Sequence, residues 1–202
     1  MRVGVIILAA GASTRMGSPK QLLPYKGRPL IRHAVEQALA SNAEQVFVVL
    51  GANAAVVGQC ALDSCAKVVS PASFLTLVEN PNWQEGMGTS IRAGLEAAAN
   101  FDAVIIALAD QPLVGPQILN TLIATHQQTR KPIVAASYSG IAGVPALFTR
   151  ELFPQLLQLP PAAGCKGLIE SHAAESVLID CPEGALDIDT PDDYAKANAS
   201  GD

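Results

Sequence analysis

Val3-Gly4-Val5-Ile6-Ile7-Leu8 runs without a break into Ala9-Ala10-Gly11-Ala12-Ser13-Thr14-Arg15-Met16-Gly17-Ser18-Pro19-Lys20, and Gln21-Leu22-Leu23-Pro24 follows. The first six residues read as a buried strand, because a short apolar run that ends at a turn has no polar face to show to water. A buried strand that stops at a small-residue turn brings backbone N–H groups close to an anion. Two cations, Arg15 and Lys20, stand in the same loop, and that combination is what a triphosphate site requires. The loop lacks the G-K-[ST] unit of a P-loop and the G-x-G-x-x-G unit of a dinucleotide fold, which sets aside both. Taken alone, it also reads as a surface turn with Ser13 as an N-cap.

Outward from this stretch, strand-like runs alternate with helix-like ones. Residues 45–50, 74–78, 103–108 and 132–136 read as further strands. Residues 30–40, 54–62, 90–99 and 116–128 carry helical spacing. Near-continuous apolar strands separated by helices predict a mainly parallel sheet covered on both faces. After Tyr138 the pattern is less regular. Residues 143–148 read as an extended segment of different direction, 150–157 and 167–174 as helices, 176–179 as a short strand. Residues 190–199 read as a closing helix, with Thr190 as N-cap and Pro191 at its first position. No repeat or linker interrupts the chain, so residues 1–202 are expected to form one domain.

Composition agrees. The 202 residues are 50% hydrophobic and 15% charged with a net charge of −5, which argues for a folded core and against a nucleic-acid-binding surface. No apolar stretch of membrane-spanning length and no signal peptide is read, so the expected compartment is the cytoplasm. Cys60, Cys65, Cys165 and Cys181 form no C-x-x-C pair and the three histidines are scattered. Reduced structural thiols are expected, and no zinc site.

In an open parallel sheet, ligands sit beyond the carboxyl ends of the strands. Four polar clusters follow apolar runs there: the opening loop, Glu79 to Ser90, Ala109 to Pro112, and Leu186 to Pro191. Asp110 ends a wholly apolar strand and faces a desolvation cost unless it is paired, hydrogen-bonded or metal-bound. It also fits a helix N-cap. Asp187 and Asp189 flank Ile188, so an extended backbone turns both to one side. Either one, with Asp110, suits Mg²⁺, a hard ion that takes carboxylates and substrate phosphates; both also suit capping of the last helix. Gly86, Gly88, Thr89 and Ser90 suit either close approach to a flat ligand or a turn capped by Thr89 or Ser90. Trp83, the sole tryptophan, is expected in packing.

Together these segments resemble the nucleotidyltransferases related to the molybdenum cofactor cytidylyl- and guanylyltransferases. The pattern L-A-A-G-x-S-x-R-M-G-x-x-K-x-L-L-P is matched from Leu8 to Pro24, and N-x-x-W-x-x-G-M-x-x-S-I/L-x-x-G from Asn80 to Gly94. A-D-x-P is matched at Ala109 to Pro112 and D-I-D-T-P-x-D at Asp187 to Asp193. The resemblance implies a three-layer α/β/α, GT-A-like fold, as in nucleotide-diphospho-sugar transferases, with one reversed strand. It implies Mg²⁺-dependent transfer of a nucleoside monophosphate to a phosphate-bearing small-molecule acceptor, with release of pyrophosphate. Leu8, Ala9, Ala10, Gly11 and Ser13 would meet the nucleotide, and Gly86, Met87 and Ser90 its base and ribose. Arg15, Lys20 and Asp110 would be catalytic, and Asp110, Asp189 and Asp187 the metal ligands. In this group A-A-G goes with cytidine donors and A-G-G with guanosine donors, so Ala10 points to CTP, with molybdopterin as acceptor and a molybdoenzyme or chaperone as protein partner.

Two positions depart from the pattern. Val144 stands in place of the histidine of G-H-P, and Cys165 in place of the aspartate of G-D-x-G-A. Both bear on the acceptor. Lys166 beside Cys165 suits an anionic group or a solvated surface. The remaining readings are guanylyl transfer or transfer to another small phosphorylated metabolite, and a nucleotide-binding or cofactor-handling protein without turnover.

Overall fold

The computed structural model describes residues 1–64, 74–138 and 140–199. Strand β1 (Val3–Leu8) is buried along its whole length. A two-residue hairpin follows, β2 (Pro24–Tyr25) and β3 (Arg28–Pro29), then α1 (Leu30–Leu39), β4 (Gln45–Leu50), α2 (Ala54–Leu62) and β5 (Phe74–Glu79). The second half holds α3 (Met87–Ala97), β6 (Ala103–Leu108), α4 (Pro116–Thr129), β7 (Ile133–Tyr138) and β8 (Ile141–Thr149). After these come α5 (Phe153–Leu157), α6 (Lys166–Ser171), β9 (Ser176–Asp180) and α7 (Pro191–Ala199).

Seven strands form one sheet in the order β5-β4-β1-β6-β8-β7-β9. β1 pairs in parallel with β4 and β6, and β4 with β5. β8 is antiparallel to both β6 and β7, and β7 is parallel to β9. The sheet is therefore mostly parallel with one reversed strand, the segment whose sequence read as extended but differently directed.

The period of two along each strand divides the core between the two faces. Val5 and Ile7 of β1, Val46 and Val48 of β4, and Ile105 and Ala107 of β6 join residues of α1, α2 and α4. Their neighbours Ile6, Leu8, Phe47, Val49, Val104 and Ile106 join residues of α3, α5 and α6. The outcome is three layers, a helix layer on each face of the sheet. No helix among the described residues is long and apolar enough to cross a membrane.

Three local expectations need correction. The helix after β5 begins at Met87 with Gly86 before it, so neither Thr89 nor Ser90 is its N-cap. The Thr89 hydroxyl instead donates back to the Gly86 and Asn82 carbonyls, 2.8 and 3.0 Å away. Gly86 holds φ at 129°, a conformation that suits glycine, and a Cβ there would stand 2.5 Å from the Pro161 carbonyl oxygen. The segment 150–157 divides into a 3₁₀ turn (Arg150–Leu152) and α5, since Pro154 sits in the first turn of the latter. The Ser13 hydroxyl makes no capping bond to the turn that follows it.

Thr190 caps the chain's last helix in a reciprocal arrangement. Its hydroxyl accepts from the Asp193 N–H at 3.2 Å, and the Asp193 carboxylate accepts from the Thr190 N–H and hydroxyl at 3.0 and 2.7 Å. Cys60, Cys165 and Cys181 are free thiols, and Cys65 lies outside the described residues.

Candidate active site

β5, β4, β1 and β6 run parallel, so their carboxyl ends share one edge of the sheet. The segments that leave that edge wall an open cavity of about 420 Å³. Leu8, Ala9, Ala10, Gly11, Arg15 and Lys20 come from the exit of β1, and Trp83, Gly86, Met87 and Ser90 from beyond β5. Asp110 comes from the exit of β6, and Asp187 and Asp189 from the segment before α7. The last two arrive from far away. After β9, at the sheet edge, the chain crosses back over the carboxyl ends, where the Ile188 N–H donates to the Asp110 carbonyl at 3.3 Å. Tyr194 then fastens α7 to the hairpin by donating its hydroxyl to the Pro24 carbonyl at 2.6 Å.

Ser13 is the one expected ligand-facing residue absent from the wall. It works within the loop, where its hydroxyl accepts from the Lys20 N–H at 3.0 Å and donates to Gln21 Oε1 at 3.3 Å. Gln21, which the sequence quotation contained but assigned no role, is almost fully buried. Its Nε2 donates to the carbonyls of Ala9 and Gly11 at 3.0 and 2.8 Å. Gln21 therefore satisfies carbonyls that would otherwise repel an anion entering the loop. A Cβ built on Gly11 meets nothing within 4 Å, so the loop's inner face is open to a ligand. Asn80 does similar work on the opposite wall: its Nδ2 donates to the hydroxyls of Thr89 and Ser90 at 2.8 and 3.0 Å. Trp83 packs where expected, since a Cβ on Gly51 would stand 2.5 Å from its Cβ, and it also reaches the cavity.

The three aspartates present carboxylate oxygens that all lie within 4.8 Å of one another. The Lys20 ammonium is in contact with Asp110 Oδ2 and lies 2.5 Å from Asp189 Oδ1. Burial alone would lower the lysine's pKa, but the two carboxylates outweigh it and raise the pKa above the ordinary value. Asp187 stands at the rim. Partial burial, with the charges of Asp110 and Asp189 beside it, pushes its pKa up from 3.8 to about 7. Arg15 is the outermost group, with Nη1 3.8 Å from Asp189 Oδ2 and most of its side chain in water. Asp110 is only 8% exposed, and its Oδ1 is buried with no hydrogen-bond partner. A buried carboxylate oxygen left without a donor, beside two more carboxylates, fits an oxygen-ligated divalent cation.

On the far side of Asp110 the departures from the family pattern fall in different places. The Cys165 thiol is buried in the core beneath α6, and burial raises its pKa to about 12, so it faces no acceptor. Val144 is partly buried against the same core. Lys166 is exposed and pairs loosely with Glu170 at 3.8 Å, one helical turn on. Gln111 is buried, and its Nε2 donates to the Gly184 carbonyl at 3.0 Å.

A mostly parallel sheet whose carboxyl edge carries an open glycine loop, a lysine and three clustered aspartates defines the class of nucleotidyl-transferring enzymes. The chain belongs to the MobA-like NTP transferase domain family, whose model matches residues 5–177, and it is a nucleotidyltransferase. It is 34% identical over 197 residues to nicotine blue oxidoreductase of Paenarthrobacter nicotinovorans, covering 92% of this chain and 91% of that protein. It is 25% identical over 195 residues to molybdenum cofactor cytidylyltransferase of Escherichia coli, covering 96% and 95%. Among solved structures, a Mycobacterium sp. strain JC1 homologue of Mycobacterium tuberculosis Rv0371c superposes with a TM-score of 0.78 at 30% identity, covering 99% of this chain and 98% of that one. Rv0371C itself, solved in complex with manganese, superposes at 0.71 with 26% identity, covering 99% and 100%.

Proposed function

We propose that the protein transfers CMP from CTP to a phosphate-bearing acceptor of the molybdopterin type, with Mg²⁺ held by Asp110, Asp189 and Asp187. The observation that carries the transfer reading is the convergence of Lys20 on Asp110 and Asp189 at the mouth of the open loop. The continuous sheet from Val3 to Asp180, with α7 fastened back to the hairpin, supports residues 1–202 as one domain.

The chemistry follows from charge. A phosphate oxygen of the acceptor attacks the α-phosphorus of the nucleotide, an O–P bond forms, and the bond from that phosphorus to the bridging oxygen of pyrophosphate breaks. Attacker and target are both anionic, so neutralisation and alignment supply most of the rate. Bound at the aspartates, Mg²⁺ would supply Lewis-acid neutralisation of the phosphate oxygens. Lys20 and Arg15 meet negative charge on the transferred group and on the departing pyrophosphate. The loop N–H groups from Ala10 to Ala12 face the triphosphate, with Gln21 holding the loop carbonyls. The acceptor phosphate is already ionised at neutral pH and needs no general base, which agrees with a cavity wall that carries no histidine.

CTP rests on Ala10. Ala10 is buried in the cavity wall and its carbonyl accepts from the Ala52 N–H at 3.0 Å, which supports a smaller base edge beside this turn. The E. coli cytidylyltransferase supports the same donor and the molybdenum cofactor as acceptor. A second reading keeps the transfer and changes the acceptor to another small phosphorylated metabolite; the departure from the family pattern at Val144, which is only partly buried, supports it. The test is pyrophosphate release with each of the four NTPs, with and without a molybdopterin-type acceptor. Release only with CTP and that acceptor is expected. Release with CTP and a different phosphorylated metabolite selects the second reading.

A further inference from the structure

We propose that Lys20 occupies the place of the divalent cation in the metal-free protein, so that lysine and cation exclude each other from Asp110 and Asp189. This rests on the metal-dependent transfer reading above. The ammonium touches Asp110 Oδ2 and lies 2.5 Å from Asp189 Oδ1, while only 16% of the lysine side chain is exposed. Charges so screened from water interact several times more strongly than on an open surface. The contact also joins two segments 169 residues apart, the loop after β1 and the segment before α7. It therefore adds to the Ile188–Asp110 backbone bond and the Tyr194–Pro24 bond that hold these segments together.

One ammonium does not complete the site. Asp110 Oδ1 stays buried without a partner, and Asp187 remains beside it as a third carboxylate. A divalent ion offers several oxygen-binding positions at once and suits this donor set better than a single lysine. An ion that shares the Asp110 and Asp189 oxygens faces the ammonium at a few ångströms, where like charges repel strongly. The lysine would then leave, and the polyphosphate of a nucleotide bound in the same cavity would be an anionic partner for it. Lys20 is thus spent on the aspartates until metal arrives and is released to the phosphates afterwards. Metal and nucleotide binding are coupled through one side chain.

The consequence runs against the usual expectation for a catalytic lysine: its removal should strengthen binding of the metal alone. The experiment is Mn²⁺ titration without nucleotide, followed by paramagnetic resonance of free Mn²⁺, on the wild type, Lys20→Met and Asp110→Asn. Lys20→Met is expected to bind Mn²⁺ about 10-fold more tightly than wild type, within the usual range of such couplings, and Asp110→Asn to lose binding. Equal or weaker binding by Lys20→Met, with Asp110→Asn still deficient, overturns the exclusion and leaves the metal reading standing. Absence of Mn²⁺ binding by the wild type and Lys20→Met, with or without CTP, overturns both. If Lys20→Met does not fold, the wild type answers through acylation of Lys20 by acetic anhydride, measured by peptide mass spectrometry with Lys166 as the exposed reference. Mn²⁺ should increase Lys20 labelling several-fold; labelling that Mn²⁺ leaves unchanged or decreases contradicts the proposal.

Discussion

Two buried glutamines, Gln21 and Gln111, stand on either side of the aspartates, and each is only 3% exposed. On the donor side Gln21 is fully employed: its amide holds two loop carbonyls and its oxygen accepts from Ser13. On the far side Gln111 donates to the Gly184 carbonyl, with a long contact of 3.5 Å to that of Val144, while its Oε1 is buried without a partner. Both polar atoms of the Gln21 side chain thus have partners within the protein. Gln111 keeps an unmet buried oxygen, the kind of feature that a ligand or a water satisfies. The contrast matches their construction. Gln21 serves a loop of contiguous residues, whereas Gln111 ties a strand exit to a segment that has crossed the sheet.

The largest effect should come from the charges at the junction of the halves. Asp110→Asn should lower turnover by at least about 10³ while the protein stays folded, because the carboxylate with the unmet oxygen is lost. Wild-type turnover in that variant, measured by pyrophosphate release, would remove the metal from the account. Lys20→Ala should lower kcat by about 10²–10³. A change seen in melting temperature alone would return the lysine to a purely structural role.

Next come the two glutamines themselves. Gln21→Leu leaves the Ala9 and Gly11 carbonyls without their side-chain donor, so it should cost about 1–3 kcal/mol in urea unfolding and raise KM for the nucleotide. Gln111→Leu removes an amide with one unmet atom, so its cost should be smaller and the nucleotide KM unchanged. A rise in nucleotide KM with Gln111→Leu would break the division into halves.

The pH dependence is smaller. Asp187 is raised in the folded state from 3.8 to about 7, so the folded protein holds a proton that the unfolded chain has released over that window. Its contribution to stability is therefore present at low pH and is lost as pH rises towards 7. Melting temperature in EDTA should fall from pH 5 to pH 8, and Mg²⁺ should reverse the fall at pH 8, where the carboxylate is free to bind. A melting temperature that rises across that range without metal would contradict the Asp187 assignment. The smallest effect belongs to Lys166→Ala, expected within about 0.5 kcal/mol of wild type and with unchanged turnover.

The segments after β1 and β6 that wall the cavity were legible in the sequence because their signals are local. The β1 run, the glycine loop and the aspartate that ends β6 are each read within a few residues. The reversed strand β8 was legible over residues 143–148 as an extended segment of different direction, but its partners and its full length, Ile141–Thr149, were not. Its place between β6 and β7 depends on non-local pairing, which no local pattern records. Gln21 and Gln111 were missed for a related reason. A glutamine inside a polar motif looks solvated, and its burial is set by the carbonyls that the fold brings to it. The helix start at Met87 was placed late because Thr89 and Ser90 are good caps in isolation, whereas the fold spends their hydroxyls on Gly86, Asn82 and Asn80.

The most direct test of the central claim is calorimetric titration of CTP into the wild type and Asp110→Asn, with Mg²⁺ and with EDTA. Because no acceptor is needed, the donor half is examined alone. Tight binding of CTP by the wild type that requires Mg²⁺, exceeds that of GTP and is lost in Asp110→Asn is the predicted result. CTP binding that is the same in EDTA and in Asp110→Asn would contradict a metal-dependent donor site built on the loop from Ala9 to Lys20.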